Sequence, residues 1–250
     1  DGVGEGITLY SALDDKSREI GQRDSGLDPM EYENYLMDVD EPIVLPVNTK
    51  IRILTTAQDV IHAFWVPDLG WKRDAIPGFI NDNWAVIEKP GTYRGKCAEI
   101  CGAGHGYMPI VIKAVSMDDY TAWVDGKMLA QAESKNTSDK VLTMEELMTK
   151  GEKVYKAQCL VCHQANGQGL KGAFPALAGS AVAVEKEQRL GHLHRIIFGK
   201  VLMPAFGEQL SDVDIAAVAT YERNAWGNNT GDIVQAKEVA EARKVPNVLE

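Results

Sequence analysis

The chain has 250 residues, 45% of them hydrophobic and 25% charged, which is the composition of an ordinary soluble globular protein. Its formal net charge of −10 argues against a nucleic-acid partner. It predicts an acidic surface, which either serves solubility alone or docks a basic partner. The sequence holds no run of about 18 apolar residues, so it predicts no transmembrane helix, and no signal peptide is recognisable at Asp1.

The first half of the chain predicts a β domain behind an irregular lead-in. Residues 1–38 are polar and are expected to be exposed and partly helical. From residue 39 onward, short β-branched or aromatic runs alternate with turn residues, which is typical of a β-sandwich. The predicted strands are Ile43–Pro46, Ile51–Thr55, Trp84–Glu88, Tyr93–Lys96 and Ile110–Val115. A closing helix is predicted from Met117 to about Leu129, and the domain is placed at residues 39–130.

The second half predicts an all-α domain. Residues 131–140 are small, polar and charged and are interpreted as a linker. Thr143–Glu146 and Ser211–Asp214 both have the pattern of a capping box that opens a helix. The domain is placed at residues 141–228, and residues 229–250 are interpreted as a polar tail without an assigned function.

A loop between the last two predicted strands carries metal-binding chemistry. From Cys97 to Met108 it reads C-x-E-x-C-x-x-x-H-x-x-M. Thiolate, thioether and imidazole together select copper over magnesium or calcium, and two nearby cysteines can bridge two metals. A dinuclear site needs a terminal imidazole on each metal, and His105 supplies one. The remaining histidine outside the second domain is His62. Met108 offers a weak axial thioether, and a loop carbonyl, most simply that of Glu99, completes the other metal.

Two other interpretations of this loop remain open. The cysteine pair forms a disulfide, or it joins His62 and His105 in a zinc site of the Cys₂His₂ type. Neither interpretation uses Met108, and we therefore favour copper. All four cysteines of the chain lie in two motifs, so no separate structural disulfide is predicted.

The second motif, Cys159–His163, reads C-x-x-C-H and predicts a covalently bound c-type haem. Cys159 and Cys162 would form the thioethers, and His163 would be the proximal iron ligand. The alternative is a zinc or redox C-x-x-C site. Covalent haem attachment of this type is normally extracytoplasmic, so the sequence predicts a periplasmic protein.

The sixth iron ligand is predicted to be Met203. It lies in the loop Leu-Met-Pro-Ala-Phe-Gly before the second capping box and is the last methionine of the chain. Ligation by histidine and methionine raises the reduction potential of a haem and suits electron carriage. His192 and His194 are rival ligands, but their spacing and the adjacent Arg195 favour a solvated helix face.

The first domain resembles the CuA domain of cytochrome c oxidase subunit II, over roughly Glu41 to Trp123. His62, the run Lys72–Gly78 and the cysteine loop carry the resemblance. It implies a cupredoxin-like β-sandwich and a mixed-valence dicopper centre (CuA). The ligands that the resemblance implies are His62, Cys97, the Glu99 carbonyl, Cys101, His105 and Met108.

Residues from about 141 to 228 resemble a class I cytochrome c. The run from Met203 through Asp212 is similar to cytochrome c domains that are fused to oxidase subunits. Together the two domains resemble the soluble part of subunit II of a caa3-type cytochrome c oxidase. That family's subunit II normally begins with two transmembrane helices, which are not part of the sequence from Asp1 onward.

The resemblance implies an electron-transfer subunit of a respiratory oxidoreductase, with no catalytic residue in this chain. The haem would accept electrons from a bc-type complex or a small cytochrome c. They would pass to the dicopper centre and then to a haem of subunit I, where oxygen is reduced and protons are pumped. The implied location is the periplasmic face of a bacterial inner membrane, in contact with subunit I and other membrane subunits.

Three alternatives to this function remain. A CuA-bearing subunit of a nitric oxide reductase would hold the same centres beside a different catalytic subunit. A freestanding copper–haem electron carrier would have no enzyme attached. A structural zinc protein would bind no copper at all.

Overall fold

The computed structural model describes residues 6–22, 25–102, 104–136, 141–201 and 203–247. The chain divides into two compact units, Asp1–Glu133 and Ser134–Glu250. The first is rich in strands and the second is helical, in the order that the sequence predicts. Within the described part of the chain, no helix combines the length and the apolar character that a membrane span requires.

Two sheets form the first unit. The larger sheet has five strands in the order β1-β7-β6-β3-β4, and β2 pairs with β5 in a separate two-stranded sheet. β1 runs parallel to β7, and the other pairs are antiparallel. The strands are β1 Ile43–Pro46, β2 Lys50–Thr55, β3 His62–Val66, β4 Trp71–Ala75, β5 Asn81–Val86, β6 Gly91–Cys97 and β7 Pro109–Val115.

The structure contains all five predicted strands and two that the sequence pattern did not predict, β3 and β4. β4 has the sequence Trp-Lys-Arg-Asp-Ala and lies at the edge of the sheet. An edge strand is held by the hydrogen bonds to its one neighbour, so its side chains need not alternate between apolar and polar. The charged β4 therefore lacks the pattern by which strands are recognised in a sequence.

The core of the first unit includes residues of β3 and β7 in the larger sheet. Val66 and Ile112 are fully buried there, together with Ile87 and Ala114. Burial of a side chain such as Ile112 contributes roughly 1.5–3 kcal/mol. Gly95 allows β6 to approach β3 closely, since a Cβ at this position would lie 2.0 Å from the carbonyl oxygen of Trp65.

The lead-in contains a short helix, α1, Asp15–Ile20. Asp14 caps it by accepting a hydrogen bond from the Ser17 amide at 2.9 Å. The lead-in was expected to be exposed, but Ser17 and Ile20 are buried, so this part of the expectation is wrong. A cap and two inward-facing side chains are enough to hold one turn of helix against the unit.

The helix α2, Met117–Asn136, begins where the sequence predicts and extends beyond the expected end near Leu129. The first six residues of the segment interpreted as a linker are therefore helical, and the boundary between the units falls within that segment. Residues 137–140 of the predicted linker lie outside the described residues.

The second unit is built from six α-helices within the described residues. They are α3 Met144–Val154, α4 Leu160–His163, α5 Ala181–Val184, α6 Arg189–Phe198, α7 Asp212–Asn224 and α8 Ala236–Ala242. Both predicted capping boxes are present, at Thr143 and at Ser211. A turn of π-helix, Tyr155–Cys159, joins α3 to α4.

The core of the second unit includes residues beyond the predicted end of the domain. Val234 and Val239 are fully buried and Ala242 is nearly so, and all three pack in the same cluster as Leu147 and Ile215. The segment interpreted as a tail therefore contributes a helix to the core. Most residues of this segment are polar and face outward, so the sequence pattern did not reveal the few apolar residues that face inward.

Candidate metal and haem sites

The six predicted copper donors meet at one end of the larger sheet. Cys97 is the last residue of β6, and Pro109 is the first residue of β7, so the loop between them is the connection of two paired strands. Its ends are joined by a hydrogen bond from the Cys97 amide to the Met108 carbonyl at 3.0 Å. Phe64 of β3 is paired with Cys97, which brings His62 to the same end of the sheet.

The donor atoms form two sets joined by the cysteine pair. In the first set, the Cys97 sulfur lies 3.9 Å from His62 Nδ1 and 3.4 Å from the carbonyl oxygen of Glu99. In the second set, the Cys101 sulfur lies 3.5 Å from His105 Nδ1 and 3.5 Å from the Met108 sulfur. The two cysteine sulfurs are 3.9 Å apart.

These separations fit ligands that share a metal ion. Two donors about 2.0–2.3 Å from a tetrahedral ion lie roughly 3.3–3.8 Å from each other. The sulfur–sulfur distance of 3.9 Å joins the two sets. The donor types and their spacing are therefore compatible with soft metal ions held through the cysteine pair.

The disulfide interpretation does not describe this structure, because both cysteines are free and their sulfurs are not in bonding distance. The zinc interpretation uses four of the six donors. It assigns no role to the Met108 sulfur, although this atom lies 3.5 Å from Cys101. Thioether ligation is typical of copper rather than zinc.

The surroundings of the two thiols differ. Burial acts to raise the pKa of Cys97, but backbone hydrogen bonds with Ala63 and Glu99 and the nearby imidazoles outweigh it and bring the pKa to about 7. Burial and the neighbouring Cys97 sulfur raise the pKa of Cys101 to about 11. In the metal-free protein at pH 7, Cys97 is therefore about half ionised and Cys101 is protonated, and metal binding must displace the remaining protons.

One residue that the sequence analysis missed orients His62. The His62 Nε2 atom lies 2.8 Å from the Asp59 carboxylate, so the hydrogen on Nε2 is held there and Nδ1 faces Cys97. Burial acts to lower the pKa of His62, but the hydrogen bonds to Asp59 and Cys97 outweigh it and raise this pKa. A carboxylate three residues before a ligand histidine is the signal that would have identified Asp59.

In the second unit, the C-x-x-C-H motif lies at the end of the helix that begins with α3. Cys159 and His163 are buried, and Cys162 is half-buried. Burial raises the pKa of the Cys159 thiol well above its usual value, with a further contribution from Glu222, and burial also raises the pKa of Cys162. Thiols that resist ionisation are poor redox nucleophiles, which argues against a redox C-x-x-C site.

His163 is presented in a form that suits iron ligation. Its Nδ1 atom lies 2.9 Å from the carbonyl oxygen of Pro175, which leaves Nε2 as the free nitrogen. The same loop is fixed to the motif by the hydrogen bond from the Gly169 amide to the His163 carbonyl at 2.9 Å. A ligand histidine is commonly oriented in this way by a backbone carbonyl.

Met203 lies in a tight turn against the helical core. It exchanges backbone hydrogen bonds with Lys200, at 2.9 and 3.1 Å, and its side chain packs against the buried cluster. Gly199 has a φ of +70°, and a Cβ at that position would lie 2.5 Å from the Met203 carbonyl oxygen. The turn therefore depends on glycine. The role of Met203 as the sixth ligand remains a prediction.

The expectation that His192 and His194 lie on a solvated helix face is wrong. Both side chains are buried. His192 Nε2 lies 2.7 Å from the carboxylate of Glu222, and His194 Nε2 lies 3.1 Å from the carbonyl oxygen of Ala242. Partners on other helices satisfy these nitrogens, and the sequence pattern of α6 alone does not reveal them.

Comparison with known families assigns each unit separately. Residues 22–115 match the family described as the periplasmic domain of cytochrome c oxidase subunit II. Residues 146–221 match the family described as subunit III of cbb3-type cytochrome c oxidase. The cupredoxin-like and cytochrome c interpretations of the two units are thereby confirmed.

Individual relatives carry the same names. Cytochrome c oxidase subunit 2 of Alkalihalophilus pseudofirmus is 34% identical over 209 residues, which are 78% of this chain and 57% of that protein. The probable cytochrome c oxidase subunit 2 of Rickettsia prowazekii is 47% identical over 112 residues, which are 45% of this chain and 32% of that protein. The chain thus spans between a third and just over half of the length of these relatives.

A solved structure is also similar to part of the chain. The periplasmic domain of subunit II of cytochrome oxidase from Bradyrhizobium japonicum has a TM-score of 0.42 and 34% identity. The similarity covers 50% of this chain and 79% of that one.

Proposed function

We propose that this chain carries electrons within a haem-copper oxidase, because residues 22–115 match the periplasmic domain of cytochrome c oxidase subunit II and residues 146–221 match a subunit of a cytochrome c oxidase. The observation that carries the proposal is the convergence of all six predicted copper donors. They form two sets joined by the cysteine pair. The oxidase would be of the caa3 type, in which a cytochrome c domain is fused to subunit II.

The copper-site residues would hold a dinuclear centre in a fixed geometry. Cys97 and Cys101 would hold the copper through their sulfurs, together with the imidazoles of His62 and His105. The Glu99 carbonyl and Met108 would be the weaker ligands. A dicopper centre of this kind supplies a one-electron couple. The end of the sheet already holds the donor atoms in place, so they would move little when the centre gains or loses an electron. A small rearrangement favours rapid electron transfer.

The residues of the second unit would attach and ligate a haem. Cys159 and Cys162 would form the covalent links, His163 would be the proximal ligand and Met203 the distal ligand. A covalently bound haem with two protein ligands supplies a second one-electron couple and excludes oxygen from the iron. Pro175 would orient His163 through its carbonyl oxygen, which is 2.9 Å from Nδ1.

Electrons would enter at the haem and leave from the copper centre toward a haem of subunit I, where oxygen reduction drives proton pumping. The upstream donor would be a bc-type complex or a small cytochrome c. The chain would work at the periplasmic face of a bacterial inner membrane, as part of a complex with subunit I. The family name of residues 22–115 supports the periplasmic location.

Metal analysis combined with electron paramagnetic resonance tests the centres directly. The purified chain should bind two copper ions and one covalent haem, and one unpaired electron should be shared equally by both coppers. Cys101→Ser should abolish the shared signal and leave the haem spectrum unchanged. A single copper, or zinc in its place, would contradict the dicopper assignment.

Stopped-flow spectroscopy tests the direction of electron flow. After rapid mixing with a reduced donor, the haem band should appear first, and the oxidised copper band should then bleach as the haem is reoxidised. In Cys101→Ser, the haem should stay reduced. Bleaching of the copper band before haem reduction would contradict the proposed order.

The alternatives predict different complexes. The relatives are named as cytochrome c oxidase subunits, which favours oxygen over nitric oxide as the terminal acceptor. Isolation of the complex that contains the full-length protein, followed by assays with both gases, decides between them. A protein that purifies without any membrane subunit would support the freestanding carrier instead.

A further inference from the structure

Tyr107 links the copper loop to the helix α1. It lies between two predicted ligands, His105 and Met108, and its ring rests against Gly21 at the end of α1. A Cβ added to Gly21 would lie 3.2 Å from Cε1 of Tyr107 and 3.5 Å from its hydroxyl oxygen. Gly21 has φ −71° and ψ −5°, a conformation open to any residue. The added Cβ would also lie 3.1 Å from the Ser17 carbonyl oxygen of the same helix. Beyond its own helix, the tyrosine ring is therefore what limits the side chain at position 21.

The helix α1 is itself fixed to the first unit. The Leu36 amide donates a hydrogen bond to the Ser17 hydroxyl at 3.0 Å, and Leu13 forms a β-bridge with Val39. Ser17 is fully buried and Ile20 is 6% exposed. A segment that is paired at Leu13 and buried at Ser17 and Ile20 can support a side chain that rests on it.

The same segment approaches the copper donors from a second direction. A cavity of about 470 Å³ is lined on one side by residues 11–13 and on another by His62, Cys97 and Met108. Residues 11–21 therefore border the site through this cavity and through Tyr107. None of these residues is a metal donor in the proposed centre.

The part of the loop that Tyr107 holds contains the most exposed of the six predicted donors. The Met108 side chain is 37% exposed, and its sulfur contacts the Cys101 sulfur at 3.5 Å. A weak axial ligand is positioned by the loop that carries it rather than by its bond to the metal. Its distance and identity tune the reduction potential of a copper site.

We propose that residues 11–21 support the copper loop through the contact between Gly21 and Tyr107, and that Tyr107 positions His105 and Met108. This inference depends on the dicopper centre proposed above. The family match begins at residue 22, so the supporting segment lies before the matched residues. Tyr107 acts through the two ligands beside it and does not bind the metal.

The first test enlarges residue 21. Gly21→Leu should displace the Tyr107 ring, shift the copper absorption bands and hyperfine splitting, and lower copper affinity by about tenfold. Gly126→Leu is the matched control, because a Cβ at Gly126 meets nothing within 4 Å. Circular dichroism of the metal-free variants shows whether they fold, and Gly21→Ala replaces the leucine variant if it does not.

The second test establishes that the contact between Gly21 and Tyr107 causes the spectral change. Tyr107→Ala should shift the same bands, and Tyr107→Phe should leave them as in the parent chain because the ring is retained. Gly21→Leu should add nothing further in a Tyr107→Ala background, since variants that remove one shared contact are not additive.

The outcomes separate this inference from the proposed function. If the parent chain binds two coppers and both Gly21→Leu and Tyr107→Ala keep its spectrum, the support by residues 11–21 is refuted. Additive effects of the two substitutions would also refute it. If the parent chain itself fails to form a dicopper centre, the proposed function fails at the preceding step.

Discussion

Asp59 is a single residue outside the donor set that decides how a ligand is presented. It binds Nε2 of His62 at 2.8 Å and so turns Nδ1 toward Cys97. Without the carboxylate, the imidazole is free to rotate and to exchange its proton between the two nitrogens. Removal of a partner of this kind commonly lowers metal affinity by about 10–100-fold.

We therefore predict that Asp59→Ala lowers copper affinity by about tenfold or more. The measurement is a competition titration of the metal-free chain against a copper chelator of known affinity. Asp68→Ala is the control, because Asp68 is an exposed carboxylate of the same unit. Equal affinities of the two variants would show that Asp59 does not orient His62.

Copper binding by the metal-free chain should depend on pH in two stages. The pKa values of Cys97 and Cys101 are about 7 and about 11. Both thiols must lose their protons to bind copper, so affinity should rise with pH. The expected rise is about tenfold per pH unit above 7, where one proton is released, and about 100-fold per unit below 7, where two are released.

Chelator competition at pH 6, 7, 8 and 9 measures this slope. The raised pKa of His62 adds a further proton at the acidic end and steepens the curve there. An affinity that is constant across this range would mean that the thiols do not bind the metal.

At the scale of elements, local sequence signals predicted where helices begin, whereas the position of an edge strand depended on packing with its neighbour. The capping boxes at Thr143 and Ser211 were recognisable because a cap depends on residues three positions apart in the chain. The edge strand β4 was not recognisable, because its pairing with β3 supplies what its side-chain pattern lacks. Prediction from sequence was thus accurate where the deciding interaction is local.

The packing of α3 on α7 offers a direct test of an element-scale contact. A Cβ added to Gly151 of α3 would lie 2.2 Å from the carbonyl oxygen of Ala217 in α7. Gly151→Ala should gain about 1 kcal/mol in helix propensity. The added methyl group should nevertheless force the two helices apart, and the lost packing should outweigh this gain. The free energy of unfolding should therefore fall by about 1–3 kcal/mol in total.

Urea unfolding of the whole chain, with the transition of each unit followed separately, measures this difference. Gly126→Ala is the control for helix propensity, because Gly126 lies in the helix α2 of the first unit with open space around the added Cβ. It should leave the first unit unchanged or stabilise it by up to about 1 kcal/mol. A second unit that is as stable in Gly151→Ala as in the parent chain would contradict the close packing.

At the scale of the whole molecule, charge is distributed unevenly. The formal net charge of −10 falls entirely within Asp1–Glu133, and the second unit carries equal numbers of acidic and basic residues. The acidic surface expected from composition is therefore a property of the copper-binding unit. A basic partner that docks through charge would approach this unit, and its association rate would fall as salt increases.

The two units should unfold as separate cooperative transitions, because each has its own buried core. A chelator that removes copper should lower the midpoint of one transition only. At a free-ion concentration of about 1,000 times the dissociation constant, the loss of stability is about 4 kcal/mol.

Differential scanning calorimetry with and without the chelator tests this prediction, and the haem absorbance identifies the second transition. Variants at Cys101 should abolish the effect of the chelator. A single transition that shifts as a whole would show instead that the two units unfold together.

The sequence by itself determined the chemistry of both sites. The donor types, their spacing and the C-x-x-C-H motif are covalent properties of the chain, so they specify which metals and cofactors suit it before any fold is known. The tertiary structure decided which residues distant in sequence surround those donors. Asp59 beside His62, Gly21 beneath Tyr107 and Glu222 against His192 depend on contacts between elements, and no local pattern encodes them. The burial of His192, which the sequence pattern of α6 placed in solvent, has the same physical cause.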